Sequence, residues 1–154
     1  IQNAVDVGVP NKGTDFFTTQ DGLKLKYYTY GKGANHILIC NGVNCSYFLW
    51  MPMFLNMEKH FGKGWQEDFT VITWEYRGLY GSEVPKTTAS VSVRALCEDG
   101  YELMKHLKVP KWHCIFGWST GVQVALEYAG LHPSTAEHVF LINGSHGQTL
   151  RYFF

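Results

Sequence analysis

The chain reads as an α/β protein of the three-layer α/β/α kind, a mostly parallel sheet opened by an antiparallel hairpin. Three observations predict this. Apolar runs of strand length recur at 36–40, 69–74, 112–116 and 137–142, segments with helical period separate them, and the connections are short. Such alternation calls for crossovers that lay helices on both faces of a parallel sheet. The run at 36–40 is read as continuously apolar, as suits a strand covered on both sides, and the other three are read as buried strands.

The hairpin comes first. Asp15-Phe16-Phe17-Thr18-Thr19 and the run from Leu23 to Tyr30 flank Gln20-Asp21-Gly22, and Asp-Gly is a strong two-residue turn signal. Gly31-Lys32-Gly33 precedes the strand at 36–40, whereas a dinucleotide-binding fingerprint follows its strand, so a Rossmann reading is disfavoured. A helix is expected over 47–60 with Ser46 as its cap and Phe48, Met51, Leu55 and Met57 on its apolar face; Pro52 predicts an irregular or delayed start. Residues 65–68 read as loop before the β-branched strand at 69–74.

A second helix follows 89–93. Val93, Leu96, Cys97, Tyr101, Met104 and Leu107 share one face, with Arg94, Glu98, Glu102 and Lys105 opposite, and Gly100 weakens its middle without breaking it. Asp99 and Asp68 read as solvated charges. Val109-Pro110 ends the helix, the strand 112–116 begins at once, and a third helix runs from 122 to about 131, where His132-Pro133 stops it. The last strand is 137–142.

Composition narrows the class. The 154 residues are 45% apolar and 16% aromatic, enough for one folded core, and 13 basic residues balance 13 acidic ones. That balance leaves no global field to attract nucleic acid. No stretch is long and apolar enough to span a bilayer, so no integral membrane segment is expected. Cys40, Cys45, Cys97 and Cys114 lack metal-binding spacing and favour a reduced, cytoplasmic setting. The first residue is Ile, consistent with a processed or trimmed start. Asn44-Cys45-Ser46 and Asn143-Gly144-Ser145 match the glycosylation acceptor pattern and are read as chance matches.

The chemistry concentrates in Gly117-Trp118-Ser119-Thr120-Gly121, between a strand and a helix. Ser119 there reads as a nucleophile whose strained backbone lifts its hydroxyl clear, while glycines two residues to either side let strand and helix pack closely. Three other stretches agree with it. The strand followed by Asn41-Gly42 and then Trp50-Met51-Pro52, the loop Glu75-Tyr76-Arg77-Gly78-Leu79-Tyr80-Gly81-Ser82, and the exit Leu141-Ile142-Asn143-Gly144 together make the sequence resemble the N-terminal half of the α/β-hydrolase superfamily, over about 16–147.

The resemblance implies a serine hydrolase acting on a small-molecule ester or similar acyl compound through an acyl-enzyme on Ser119, with no cofactor and no metal. It implies an oxyanion hole made by the backbone N–H groups of Val43 and Thr120, with Gly117, Trp118, Gly121, Asn41 and Gly42 supporting the elbow and the facing loop. Asn41 stands where the family usually has His, and Glu75 where it usually has Asp; Glu75 is expected to brace its loop together with Arg77. Because the nucleophile is Ser, the resemblance points away from the Asp-nucleophile haloalkane dehalogenases and epoxide hydrolases. Two alternatives are carried: a non-enzymatic binding protein of the same fold, and a cofactor-free haloperoxidase or perhydrolase, to which Trp118-Ser119-Thr120 is similar.

In the family the catalytic acid and His follow the sixth strand, and no matching position exists before Phe154. The expectation is therefore a fragment, with both residues supplied by a longer polypeptide or a second chain. His146 is the one histidine that the order of elements puts near Ser119. The implied organisation is an N-terminal extension at 1–14, the hydrolase core at 15–147, and at 148–154 the start of a connection to a missing cap or C-terminal half. Without that half, the strand ending at Ile142 is expected to be an exposed apolar edge.

Overall fold

The computed structural model describes residues 15–62 and 64–145. The expected extension at 1–14, the segment 148–154 and His146 lie outside the described residues. Among the described residues six strands form one sheet: β1 (Phe16–Thr18), β2 (Lys24–Gly31), β3 (Asn35–Cys40), β4 (Phe69–Trp74), β5 (Trp112–Trp118) and β6 (Ala136–Ile142). Their order across the sheet is β1-β2-β4-β3-β5-β6. The hairpin pairs antiparallel, β2 joins β4 antiparallel, and the β4-β3-β5-β6 part is parallel. Gly22 takes φ +85° in the turn between β1 and β2, the conformation for which its missing side chain suits it.

Among the described residues four helices cover the sheet: α1 (Met51–Phe61), α2 (Trp65–Asp68), α3 (Val93–His106) and α4 (Gly121–Leu131). One apolar cluster joins Leu38, Cys40, Ile72, Trp74 and Ile115 of the sheet to Leu96, Leu103, Val124 and Tyr128 of α3 and α4. The other joins Tyr28, Tyr30, Ile39 and Val71 to Trp50, Phe54 and Trp65 on the opposite face. Alternate residues of one strand thus feed different clusters, which is why Leu38, Ile39 and Cys40 of β3 and Val71 and Ile72 of β4 are apolar in succession. The three-layer arrangement is as expected.

Several local expectations are corrected. Residues 65–68 form a single helical turn, held by the Trp65 ring stacked 5.9 Å from Phe54; four residues are too few to show a period. The start of α1 is delayed as Pro52 predicts: a 3-10 turn at Tyr47–Trp50 precedes Met51, which leaves Pro52 in the first turn, where no N–H is needed. Ser46 precedes that turn without capping it; its hydroxyl goes to Glu75 instead. The face of α1 is also shifted: Phe48 and Leu55 are exposed, whereas Trp50 and Phe54 are buried. On α3, Ser92 accepts from the Ala95 N–H as N-cap, and the buried stripe includes Leu103 beside the expected Leu96, Cys97 and Met104.

The largest correction concerns charge. Asp99 is 1% exposed and takes Arg77 in a two-pronged pair, Nε to Oδ2 at 2.8 Å and Nη2 to Oδ1 at 2.7 Å. Asp21 of the hairpin turn holds the other side of the same guanidinium at 2.6 and 3.1 Å. Arg77 therefore ties the hairpin to α3, not to Glu75. Strand pairing of β4 stops at Trp74 and the chain turns at Gly78, φ +77°, so the in-out rule no longer relates positions 75 and 77.

Two outcomes follow from this triad. Asp99→Ala leaves a buried guanidinium half-paired and is expected to destabilise the fold by about 3–5 kcal/mol, read as a lower urea midpoint at unchanged slope. The carboxyl of Asp21 is held below its usual range, chiefly by its hydrogen bond to Arg77. A lowered folded-state value gives stability that is present above the ordinary carboxylate range and lost as pH falls through the lowered one. The Tm difference between the native protein and Asp21→Asn should accordingly be present at neutral pH and close in acid.

Candidate active site

β3 and β5 lie side by side at the point where the strand order reverses, and the loops leaving their carboxyl ends meet there. β5 ends at Trp118, and Ser119 takes φ +56°, a left-handed conformation that costs a non-glycine residue about 1–3 kcal/mol. Two hydrogen bonds hold it: its N–H donates to the Ile142 carbonyl at 3.1 Å, and its carbonyl accepts from the Val122 N–H at 3.1 Å. The 11-residue helix α4 starts two residues later, so its positive N-terminal end stands behind the serine.

This turn is reached only through close backbone approach. A methyl group placed on Gly121 would overlap the carbonyl oxygen of Cys40 at the end of β3, and one on Gly117 would come within 2.7 Å of the Gly121 carbonyl oxygen. From the other side, a methyl on Gly42 would stand 3.2 Å from both the Ser119 Cβ and the Trp118 ring. Gly144 has the same role beside Val122 and the Ser119 carbonyl. Sequence reasoning assigned Gly144 only to the strand exit; its place directly after the β6 run was the available signal.

The facing loop hangs from Asn41, which is fully buried. Its amide nitrogen donates to Thr73 Oγ1 and to the Trp74 carbonyl, each at 3.0 Å, and its amide oxygen accepts from Trp50 Nε1 at 2.6 Å. Its own carbonyl accepts from the Tyr76 hydroxyl at 2.8 Å. Beyond it, Cys45 N–H closes a turn on the Gly42 carbonyl at 3.2 Å, and the Tyr80 hydroxyl donates to the Asn44 carbonyl at 2.7 Å. Val43 sits exposed at the tip. Among the described residues, neither the Val43 N–H nor the Thr120 N–H meets a backbone acceptor.

Two depressions lie at this edge of the sheet, one against Ser119 and one against the Trp118 ring. One, of about 280 Å³, is polar and lined by Ser119, Thr120, Gln123, Asn143, Gly144 and Ser145. The other, of about 340 Å³, is an apolar groove between Trp50, Phe116, Trp118 and Ile142. Gln123 and Asn143 were not anticipated as lining. Cavities of about 330 and 500 Å³ beside the hairpin turn include no residue of the elbow or of the 41–46 loop.

The described histidines sit elsewhere. His113 Nδ1 pairs with Glu137 at 3.0 Å near the amino ends of β5 and β6, His138 edges against His113, His132 stacks on Tyr101 and His106 packs against Tyr27. Among the described residues no side chain hydrogen-bonds to Ser119. Burial pushes the thiol of Cys97 up to about 12 and those of Cys40, Cys45 and Cys114 upward as well, so no described cysteine is an activated thiolate. Among the described residues no group of three or more His, Cys, Asp or Glu could hold a metal ion, and no helix is long and apolar enough to cross a membrane.

A family model described as alpha/beta hydrolase fold matches residues 35–154. A hydrolase from Pseudomonas aeruginosa PA01 superposes with a TM-score of 0.73 at 26% identity, over 93% of this chain and 51% of its own. The epoxide hydrolase CorEH, without ligand, superposes at 0.70 and 26% identity, over 84% of this chain and 41% of its own. A structure reported with carboxylesterases of the ammonia-oxidizing thaumarchaeon Nitrososphaera gargenis superposes at 0.71 and 24% identity, over 85% and 46%, a likeness of fold. This chain thus spans about half the length of these solved structures. No curated protein matches the sequence.

The packing of the elbow is tested by one substitution at two places on α4. Gly121→Ala should abolish cooperative folding or lower Tm by 10 °C or more, on the order of 3 kcal/mol for a steric clash with backbone. Gly130→Ala, where nothing lies within 4 Å, should be neutral or stabilising by up to about 1 kcal/mol. Thermal denaturation followed by circular dichroism measures both.

Proposed function

The chain belongs to the alpha/beta hydrolase fold family, and from that premise we propose that it carries the nucleophile and oxyanion site of a serine hydrolase acting on small-molecule esters or similar acyl compounds. The observation that carries this reading is the left-handed Ser119 at the end of β5, with Gly42 of the facing loop packed against its Cβ. In this reading Ser119 Oγ bonds to the substrate carbonyl carbon as its proton passes to a base. The alcohol then leaves with a proton, and water cleaves the acyl-enzyme to release the acid. Negative charge on the carbonyl oxygen is met by the N–H groups of Thr120 and Val43, with the N-terminus of α4 adding to the field.

The catalytic acid and base are assigned to the remainder of the fold, supplied by a longer polypeptide or a second chain. Two observations support this. The chain spans 41–51% of the length of the solved structures named above. At the sheet edge, Phe140 and Ile142 of β6 are 62% and 40% exposed, an apolar border of the kind that further strands cover. The elbow residue here is Ser, which favours acyl transfer over the carboxylate-nucleophile chemistry that the resemblance associates with epoxide hydrolases.

Pre-steady-state hydrolysis of p-nitrophenyl acetate by the native protein, with the remainder of the fold present, tests the reading. An acyl-enzyme predicts a burst of about one nitrophenolate per active site, and Ser119→Ala should lose the burst and at least about a thousandfold in kcat/KM. A burst that survives Ser119→Ala would move the nucleophile elsewhere. Stoichiometric ligand binding without turnover would favour a binding protein of the same fold.

A further inference from the structure

We propose that Glu75 is a positioning residue for the oxyanion loop, acting through Ser46 and the Tyr47 N–H to fix the direction of the Val43 N–H. The inference rests on the serine hydrolase reading and adds to it a residue with no contact to substrate. Glu75 is fully buried at the end of β4. Its Oε1 accepts the Ser46 hydroxyl in a short hydrogen bond and the Tyr47 N–H at 3.4 Å, while its Oε2 is buried with no partner among the described residues. The Tyr28 ring, stacked 3.9 Å from Tyr47, packs over the same corner.

The geometry separates this carboxylate from a fold-only brace. The loop 41–46 has two anchors, Asn41 at its start and the Ser46–Glu75 bond at its end, and Val43 lies between them. With the second anchor gone, the Gly42–Cys45 turn keeps its own 3.2 Å bond, the 3.3 Å bond from the Cys45 thiol to the Val43 carbonyl and the Tyr80 contacts to Asn44, none of which ties it to the sheet. A half-satisfied buried carboxylate is a poor source of stability, since an apolar side chain of similar volume fills such a site at least as well. What an apolar side chain lacks is the acceptor for Ser46. The side chain also needs its length: the aspartate that the family resemblance leads one to expect here is one methylene shorter.

The test uses Glu75→Leu, Ser46→Ala, Glu75→Gln and Ser46→Thr in the native protein, with p-nitrophenyl acetate as substrate and a trifluoromethyl ketone as tetrahedral-adduct inhibitor. Glu75→Leu and Ser46→Ala should lower kcat by about tenfold to a hundredfold with KM within about twofold, and weaken the inhibitor by the same factor, because a misplaced oxyanion donor is felt in the transition state. Glu75→Gln and Ser46→Thr, which keep an acceptor and a hydroxyl, should stay within about threefold of the native protein. The inference is overturned if Glu75→Leu and Ser46→Ala keep kcat and inhibitor affinity within about threefold, whatever happens to Tm. If Glu75→Leu does not fold, Ser46→Ala, which only removes a hydroxyl, decides alone. A native protein that neither turns over the ester nor binds the ketone would overturn the hydrolase reading itself, and this inference with it, a result distinct from a native protein that does both beside variants that do not differ from it.

Discussion

The carboxyl edge of the sheet depends on one buried amide. Asn41 reaches β4 through Thr73 and the Trp74 carbonyl, the first turn of the α1 region through Trp50, and Tyr76 through its own carbonyl. Each of these groups is buried, so each would cost about 1–3 kcal/mol if left without its partner. Because the amide both donates and accepts, the side chain satisfies β4 and Trp50 at once, and the backbone carbonyl of the same residue takes the Tyr76 hydroxyl. The residue that follows it, Gly42, is the one that touches Ser119. The position of the loop opposite the elbow is therefore set by a hydrogen-bond knot one residue away, and histidine is not needed there for the loop to close.

Around that knot the structure trades local strain for close approach. Ser119 is held at φ +56° by bonds to Ile142 and Val122, and the glycines at 42 and 121 remove the side chains that would keep β3, β5 and α4 apart. Strain of this kind persists only where its surroundings over-determine it, and here a strand, a helix and a loop do so together. The electrostatic part is equally local. The backbone N–H groups at 43 and 120 and the α4 N-terminus supply partial positive charge, while the buried guanidinium of Arg77 is neutralised by Asp21 and Asp99 on the hairpin side.

Local pattern carried much of this. The strands at 36–40, 69–74, 112–116 and 137–142 and the helices after Ser92 and Ser119 were legible because apolar spacing states a period and a face. The elbow was legible because glycine, serine and glycine are required within five residues. What local pattern did not carry is pairing across long separations. Asp99 meets Arg77 across 22 positions, Asp21 meets it across 56, and Ser46 meets Glu75 across 29. A charged residue on a helix reads as solvated until its partner is known, and a serine before a helix reads as a cap until a carboxylate competes for its hydroxyl. The replacement of aspartate by glutamate at 75 was visible, but its consequence depended on which loop lay within reach.

The hydrolase reading stands on Ser119 as the residue that forms the covalent bond. The most direct measurement is peptide mass spectrometry of the native protein after reaction with a fluorophosphonate. The account predicts one phosphonyl group on the peptide that contains Ser119, at that residue, and none on Ser119→Ala. Modification at another residue, or an unmodified Ser119 in a protein that still hydrolyses esters, would contradict it.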